Sequence, residues 1–384
     1  MDTCPTAPLW IKNYQTGTTG LYIPGRYVFE TLGYRYNWNA TTYKSTITYV
    51  ENKTGIFTAD YTVAAMYNST NPTQGSADEN FYQEMELPIP DEFSPKKIEI
   101  VEKLYNNMFI IELEGDHSEF YKDAIVNTGE AVRQISVLYY PLKDITRINV
   151  CMRTDENNTI IAHNEEYMKH SIKFTFDRPQ NLYDKIIILD AGHGGTDPGT
   201  KHGGYNEKDL NFNIIYKYCK ELFDESDIKV FYSRSDDTLP SLYDRAGLAA
   251  RVGADFFVSV HQNSNNNKAV HGTSVYYSTR NKSTFPASDP ESKTEQTELL
   301  DGKIMARMFL NALLDKLGTV NRGIIDEKFV VVKEANSVPA VLIECGFMSN
   351  PDELKSLVTK KTQKLIAEAI YETVLDIYEK YRKQ

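Results

Sequence analysis

The last two hundred residues alternate short apolar runs with amphipathic stretches. Ile186, Ile187, Ile188 and Leu189 form an unbroken apolar run, the pattern of a strand buried on both faces. Leu210, Ile214, Ile215, Tyr218, Cys219 and Leu222 follow at the spacing of one helical face. Further strands are predicted at residues 230–232, 256–260, 273–277, 329–332 and 340–343, with helices near 241–252, 297–317 and 362–381. Strand, loop and helix in repetition predict an α/β fold for residues 185–384: a mixed, mostly parallel sheet covered by helices on both faces.

Two small modules are predicted ahead of it, one α+β over residues 1–67 and one β-rich over 96–184. Between them, residues 68–95 are rich in Asn, Pro, Ser, Asp and Glu and read as a linker. Runs such as Met108-Phe109-Ile110-Ile111 and Ile172-Lys173-Phe174-Thr175-Phe176 give the second module its β character. A further boundary is expected at residues 177–184.

Three predicted strands end in polar residues of one chemical kind. The first runs into Asp190-Ala191-Gly192-His193-Gly194-Gly195, the 256–260 strand into His261-Gln262-Asn263, and the 340–343 strand into Glu344-Cys345-Gly346. In open α/β sheets the loops beyond the carboxyl ends of the strands line one crevice, so these residues are predicted neighbours. Glu207, just before the first helix, faces the same rim. Two histidines and a carboxylate suffice to hold zinc with a fourth position open, and a further carboxylate can act as base. His193, Glu207, His261 and Glu344 meet that requirement. Gly192, Gly194 and Gly195 are expected to let a bulky polymer approach the metal. His202 and His271 lie near these motifs with no role required of them.

Residues 185–199, KIIILDAGHGGTDPG, resemble the opening motif of the zinc-dependent N-acetylmuramoyl-L-alanine amidases. Residues 206–210 (NEKDL), 255–263 (DFFVSVHQN), 321–323 (NRG) and 338–350 (VPAVLIECGFMSN) resemble its later motifs, in the same order. The resemblance covers essentially all of 185–384. It implies one zinc per chain, held by His193, Glu207 and His261, with Glu344 as the catalytic carboxylate. It also implies cleavage of the amide joining N-acetylmuramic acid to L-alanine by zinc-activated water. Asn263, Arg245 and Arg322 are candidate substrate contacts, the arginines toward stem-peptide carboxylates. Gln262 and Ala250 depart from the usual pattern, where a small residue and an Asn are common. Residues 10–50 are similar to the small N-terminal module of copper amine oxidases, a helix followed by strands, with no copper implied. Residues 96–176 resemble the wall-targeting (AMIN-like) module found ahead of such amidases.

Charge narrows the partners. The chain carries a net charge of −11, and residues 1–184 hold 16 Lys and Arg against 25 Asp and Glu. Such a surface repels polyanions on average, so nucleic acid is not expected as a partner; peptidoglycan is the partner that the resemblance implies. No run reaches the roughly 18 apolar residues of a membrane span. The first residues lack the basic and apolar regions of a signal peptide, so the protein is expected either to be cytosolic or to have lost an export signal; the substrate that the resemblance implies favours a secreted or cell-wall location. A monomer is expected. Cys4, Cys151, Cys219 and Cys345 are scattered, with no CxxC pair, and the last two read as buried apolar residues. The stretch 278–297, Ser/Thr/Asn-rich and proline-broken, has little apolar area beyond Phe285 and reads as an open rim rather than a plug over the cleft. Two other readings stay open: a non-catalytic wall-binding protein, and another zinc hydrolase such as a stem-peptide carboxypeptidase or a sugar deacetylase.

Overall fold

The computed structural model describes residues 83–122, 124, 126, 131–153, 160–286 and 299–381, together with the backbone of four strands in the first fifty residues. Those four strands make two antiparallel pairs, Leu9–Lys12 with Thr19–Tyr22 and Tyr34–Asn39 with Lys44–Tyr49. The helix expected in that module lies outside the described residues. The chain divides into two compact units, residues 1–153 with 163–176, and residues 154–162 with 177–384.

In the first unit, Ile100–Lys103, Met108–Glu114, Ile145–Met152 and Val132–Tyr140 form, in that order, a four-stranded antiparallel sheet. A three-stranded sheet has the order Ala162–Tyr167, Ser171–Asp177, Gln83–Pro88. The last of these lies within the stretch 68–95 read as a linker, of which residues 68–82 lie outside the described residues. Met85 and Leu87 alternate with polar neighbours and are buried, and the strand pairs antiparallel with Ser171–Asp177. Period-two burial outweighs the turn-rich composition around it. Phe109, Phe174 and Phe176 stack in the core of this unit.

The second unit is built on six strands: β1 (Ile186–Ala191), β2 (Lys229–Tyr232), β3 (Phe256–Asn263), β4 (Thr273–Tyr277), β5 (Asn321–Asp326) and β6 (Ala340–Phe347). Their order is β2-β1-β3-β6-β4-β5. All neighbours are parallel except β4 and β6. The sheet is thus mixed and mostly parallel. Residues 329–332, predicted as a strand, correct to a short helix, and the strand that completes the sheet, β5, lies just before them.

The helices are α1 (Glu207–Phe212), continued by a π-helical segment Asn213–Cys219 and Lys220–Phe223, then α2 (Leu242–Val252), α3 (Gly302–Leu317), α4 (Val330–Lys333), α5 (Pro351–Leu357) and α6 (Lys360–Tyr381). One face of the sheet, carrying Ile187, Leu189, Val258, Val260, Val341 and Ile343, packs against the α1 segment, α3 and α6 in one large apolar core. Alternate residues face the other side, where α2 and α4 pack. Among them are the polar pair Asp190 and Ser259, adjacent on β1 and β3. No helix among the described residues is long and apolar enough to cross a membrane.

α2 starts in a full capping box. Ser241 Oγ accepts from the Asp244 amide, and the Asp244 carboxylate accepts from the Ser241 amide. Replacing Ser241 with Ala leaves the Asp244 amide without its acceptor and is expected to lower stability by about 1 kcal/mol, read as a shift in the denaturant midpoint.

Residues 287–298 of the Ser/Thr-rich stretch lie outside the described residues. Its flanks, Thr284–Phe285 and Leu300–Asp301, pair antiparallel. Phe285 is buried against Phe256 and Tyr378. Phe256 opens β3 and His261 lies five residues along it, roughly 16 Å at strand rise. The flanks are rooted at the end of the sheet away from His261, and the stretch read as a rim lies outside the described residues.

Candidate functional site

Strand order reverses at β1: the chain moves outward to β2, then crosses back to β3 on the other side. The crevice beyond the carboxyl ends of β1 and β3 is the usual ligand position in such sheets. β1 ends there in Gly192 and His193, β3 delivers His261, and α1 begins with Glu207. His193, Glu207 and His261 offer ligand atoms that all lie within 4.8 Å of one another. Glu207 Oε1 lies 3.1 Å from His193 Nε2 and 2.9 Å from His261 Nδ1. The two histidines therefore present different ring nitrogens to one point. Asp197 Oδ2, 2.7 Å from His193 Nδ1, fixes which nitrogen of that ring is free.

Glu207 is buried and heavily engaged. Its Oε1 accepts from the Gln262 amide at 3.0 Å and from Asn211 Nδ2 at 3.3 Å, and its Oε2 accepts from the Thr200 amide at 2.9 Å. Burial alone raises a carboxyl pKa, but the hydrogen bonds and charges of His193 and His261 hold this one well below the usual carboxylate range. His193 is moved the other way: burial lowers it, and Glu207 and Asp197 together raise it above its ordinary value.

Glu344 sits directly opposite His261 on β6, and opposite Ser274 on its other side. Its Oε2 is buried with no hydrogen-bond partner. Burial first, and then the Glu207 charge, push its carboxyl well above the ordinary value. A carboxyl with one oxygen buried and unpartnered, beside a cluster that can hold a cation, is poised to exchange a proton.

The glycines serve a purpose other than polymer access. A Cβ on Gly192 would collide with the His261 ring, and one on Gly194 with the Thr238 carbonyl. Those positions are filled by the protein itself, so glycine permits close packing around His193 and His261. Gln262, which stands where a small residue is common, turns its amide into the protein interior, and its Nε2 donates to Asn211 Oδ1 at 3.2 Å.

Arg245 corrects as a substrate contact. It is 2% exposed, and its guanidinium donates to Asp190, to the carbonyls of Ala191 and His193, and through Nε to that of Pro240. A group so enclosed is out of a ligand's reach. Asn263 and Arg322 both lie by Phe347: Asn263 is its β-sheet neighbour, and the exposed Arg322 stacks on its ring at 5.1 Å. His202 bonds Ser264 and His271 bonds the Ala269 carbonyl, so neither joins the cluster. The sequence reading gave no role to Asp190, Ser259, Asn211 or Asp197. The signals were a charged residue inside the apolar run of β1 and a carboxylate four residues after His193.

The model of the N-acetylmuramoyl-L-alanine amidase family (Amidase_3) matches residues 187–376. Amidase LytC of Bacillus subtilis is 31% identical over 50% of this chain, which covers 36% of that protein. The chain thus spans little more than a third of LytC. Amidase AmiA of Escherichia coli is 30% identical over 52% of the chain and 78% of AmiA. The crystal structure of an N-acetylmuramoyl-L-alanine amidase from Clostridium difficile 630 is 35% identical, covering 51% of this chain and 97% of that one, with a TM-score of 0.43. On the extent of its match to AmiA, this chain belongs to the N-acetylmuramoyl-L-alanine amidase family.

Proposed function

We propose that this chain is a zinc-dependent peptidoglycan hydrolase that cleaves the amide between N-acetylmuramic acid and the L-alanine of the stem peptide. The observation that carries the reading is the convergence of His193, Glu207 and His261 beside a buried, unpartnered Glu344 oxygen. Two imidazole nitrogens and one carboxylate are the donor set of a catalytic zinc site, with a position left for water or substrate. Zinc bound there supplies a Lewis acid that polarises the scissile carbonyl and lowers the pKa of a water toward about 7.

The chain's own groups supply the proton traffic. Glu344 takes the proton of the attacking water, then gives it to the leaving alanine nitrogen, so one carboxyl serves as base and acid. No covalent enzyme intermediate is required. Asn263 and Arg322, each of which neighbours Phe347, are assigned to the stem peptide, Arg322 toward a carboxylate. One zinc per chain, a monomer and a cell-wall location complete the reading.

Asp197 is expected to matter through His193. With Asp197 replaced by Ala, zinc affinity should fall by about 10- to 100-fold, measured by competition with a chromophoric chelator. Unchanged affinity would show that His193 needs no orienting carboxylate.

Mass spectrometry of digested sacculi tests the reaction. Intact stem peptides beginning with L-alanine are the expected product. Loss of a terminal residue alone identifies a carboxypeptidase, acetate release a deacetylase, and no product from the zinc-loaded protein a binding module.

A further inference from the structure

We propose that Arg245 and Arg234 are positioning residues for the metal centre, two buried guanidinium groups that hold the backbone of the His193 loop in its ligand-presenting conformation. The inference rests on the metal reading of His193, Glu207 and His261 and adds a determinant of metal affinity to it.

His193 has φ 62°, in the left-handed region that non-glycine residues rarely occupy. Such a conformation persists only where its surroundings hold it. Here three consecutive carbonyls accept from buried side chains. The Ala191 carbonyl accepts from Arg245 Nη1 at 2.8 Å and Arg234 Nε at 2.9 Å. That of Gly192 accepts from Arg234 Nη2 at 3.4 Å and Asn211 Nδ2 at 3.3 Å, and that of His193 from Arg245 Nη2 at 2.7 Å. Arg234 also binds the Lys208 carbonyl at 2.7 Å, next to the ligand Glu207, so one guanidinium spans both ligand segments.

The clamp is anchored from below. Arg245 Nη1 lies 2.6 Å from Asp190 Oδ1, and Asp190 Oδ2 accepts from Ser259 Oγ at 2.6 Å. Asp190 and Ser259 are neighbours on β1 and β3, the strands that carry the two histidines. Arg245 comes from the first turn of α2 and Arg234 from the segment after β2. Four elements therefore meet at one loop, and the planar fork of arginine is what reaches carbonyls in different directions. A lysine, with its donors at one point, can keep a charge beside Asp190 but cannot also span the Ala191 and His193 carbonyls.

The test uses the full chain, with Arg245→Lys and Arg234→Lys each compared with wild type. The readouts are zinc dissociation constant by chelator competition and melting temperature of the metal-free protein, with folding checked by circular dichroism. Zinc affinity is expected to weaken about 10- to 100-fold in each folded variant. A merely structural role lowers the melting temperature and leaves the zinc constant of the folded protein within threefold; that result overturns the inference. If Arg245→Lys does not fold, Arg234→Lys decides by the same criterion. Wild-type protein that binds no zinc refutes the metal reading itself, a separate outcome from wild-type binding with unaltered variants.

Discussion

Glu344→Gln is expected to reduce turnover of muramyl peptide by about 10²- to 10⁴-fold while zinc content stays near one per chain. The amide is nearly isosteric with the carboxyl but cannot accept a proton, so the site keeps its shape and loses its base. A second consequence follows from the buried, unpartnered Oε2. Burial and the Glu207 charge raise the folded-state pKa, so the folded metal-free protein holds this proton more tightly than the unfolded chain does. Stability therefore declines as pH rises from the ordinary glutamate range toward the raised value. Gln carries no charge to bury, and the variant should melt no lower than wild type at neutral pH when both are metal-free. A variant retaining more than a small fraction of activity, or one that loses zinc as well, would remove Glu344 from the role of base.

The centre of the fold was legible because β1, β3 and β6 are buried on both faces, and continuous apolar runs of that kind are hard to mistake. Their polar ends could be placed together from the rule that ligands gather at the carboxyl edge of such sheets. Residues 329–332 misled for the converse reason. Phe329, Val330, Val331 and Val332 have strand-like composition, yet Val331 and Val332 are buried by a short helix packed on α2 and β6. Tertiary burial there overrides a weak local preference. β5, by contrast, is largely polar and exposed, and only its pairing with β4 makes it a strand.

Arg245 shows where sequence reasoning about a site stops. As a cation able to pair with stem-peptide carboxylates it is a natural candidate for a substrate contact. Its partner, Asp190, lies 55 residues earlier, and only the packing of α2 over β1 brings the two together. Asp190 itself was visible as a charge within an apolar strand, a position that in a buried sheet demands a partner. The glycines carry the same lesson: their presence was informative, but whether the space beside them belongs to a ligand or to the protein required coordinates.

Replacing His193, Glu207 or His261 with Ala is expected to remove both zinc and turnover, because each deletes one of three ligands. The three variants should differ in stability, and the difference tests the geometry rather than the family resemblance. Glu207 is 4% exposed and accepts from the amides of Thr200 and Gln262, from Asn211, and lies against both imidazoles. Ala at this position leaves several buried donors without an acceptor, at about 1–3 kcal/mol for each group not rescued by water. His193 and His261 are partly exposed, and their loss opens the cleft to solvent instead. Metal-free Glu207→Ala should therefore melt well below metal-free His193→Ala and His261→Ala. The pH dependence has a matching sign. The folded-state pKa of Glu207 is lowered, so its contribution is present above the ordinary glutamate range and is lost as pH falls through the lowered value. Wild type should lose stability on acidification in that window and Glu207→Ala should lose less. Full zinc occupancy in all three variants would overturn the site, whereas zinc loss with equal melting temperatures would keep the ligands and discard the buried network around Glu207.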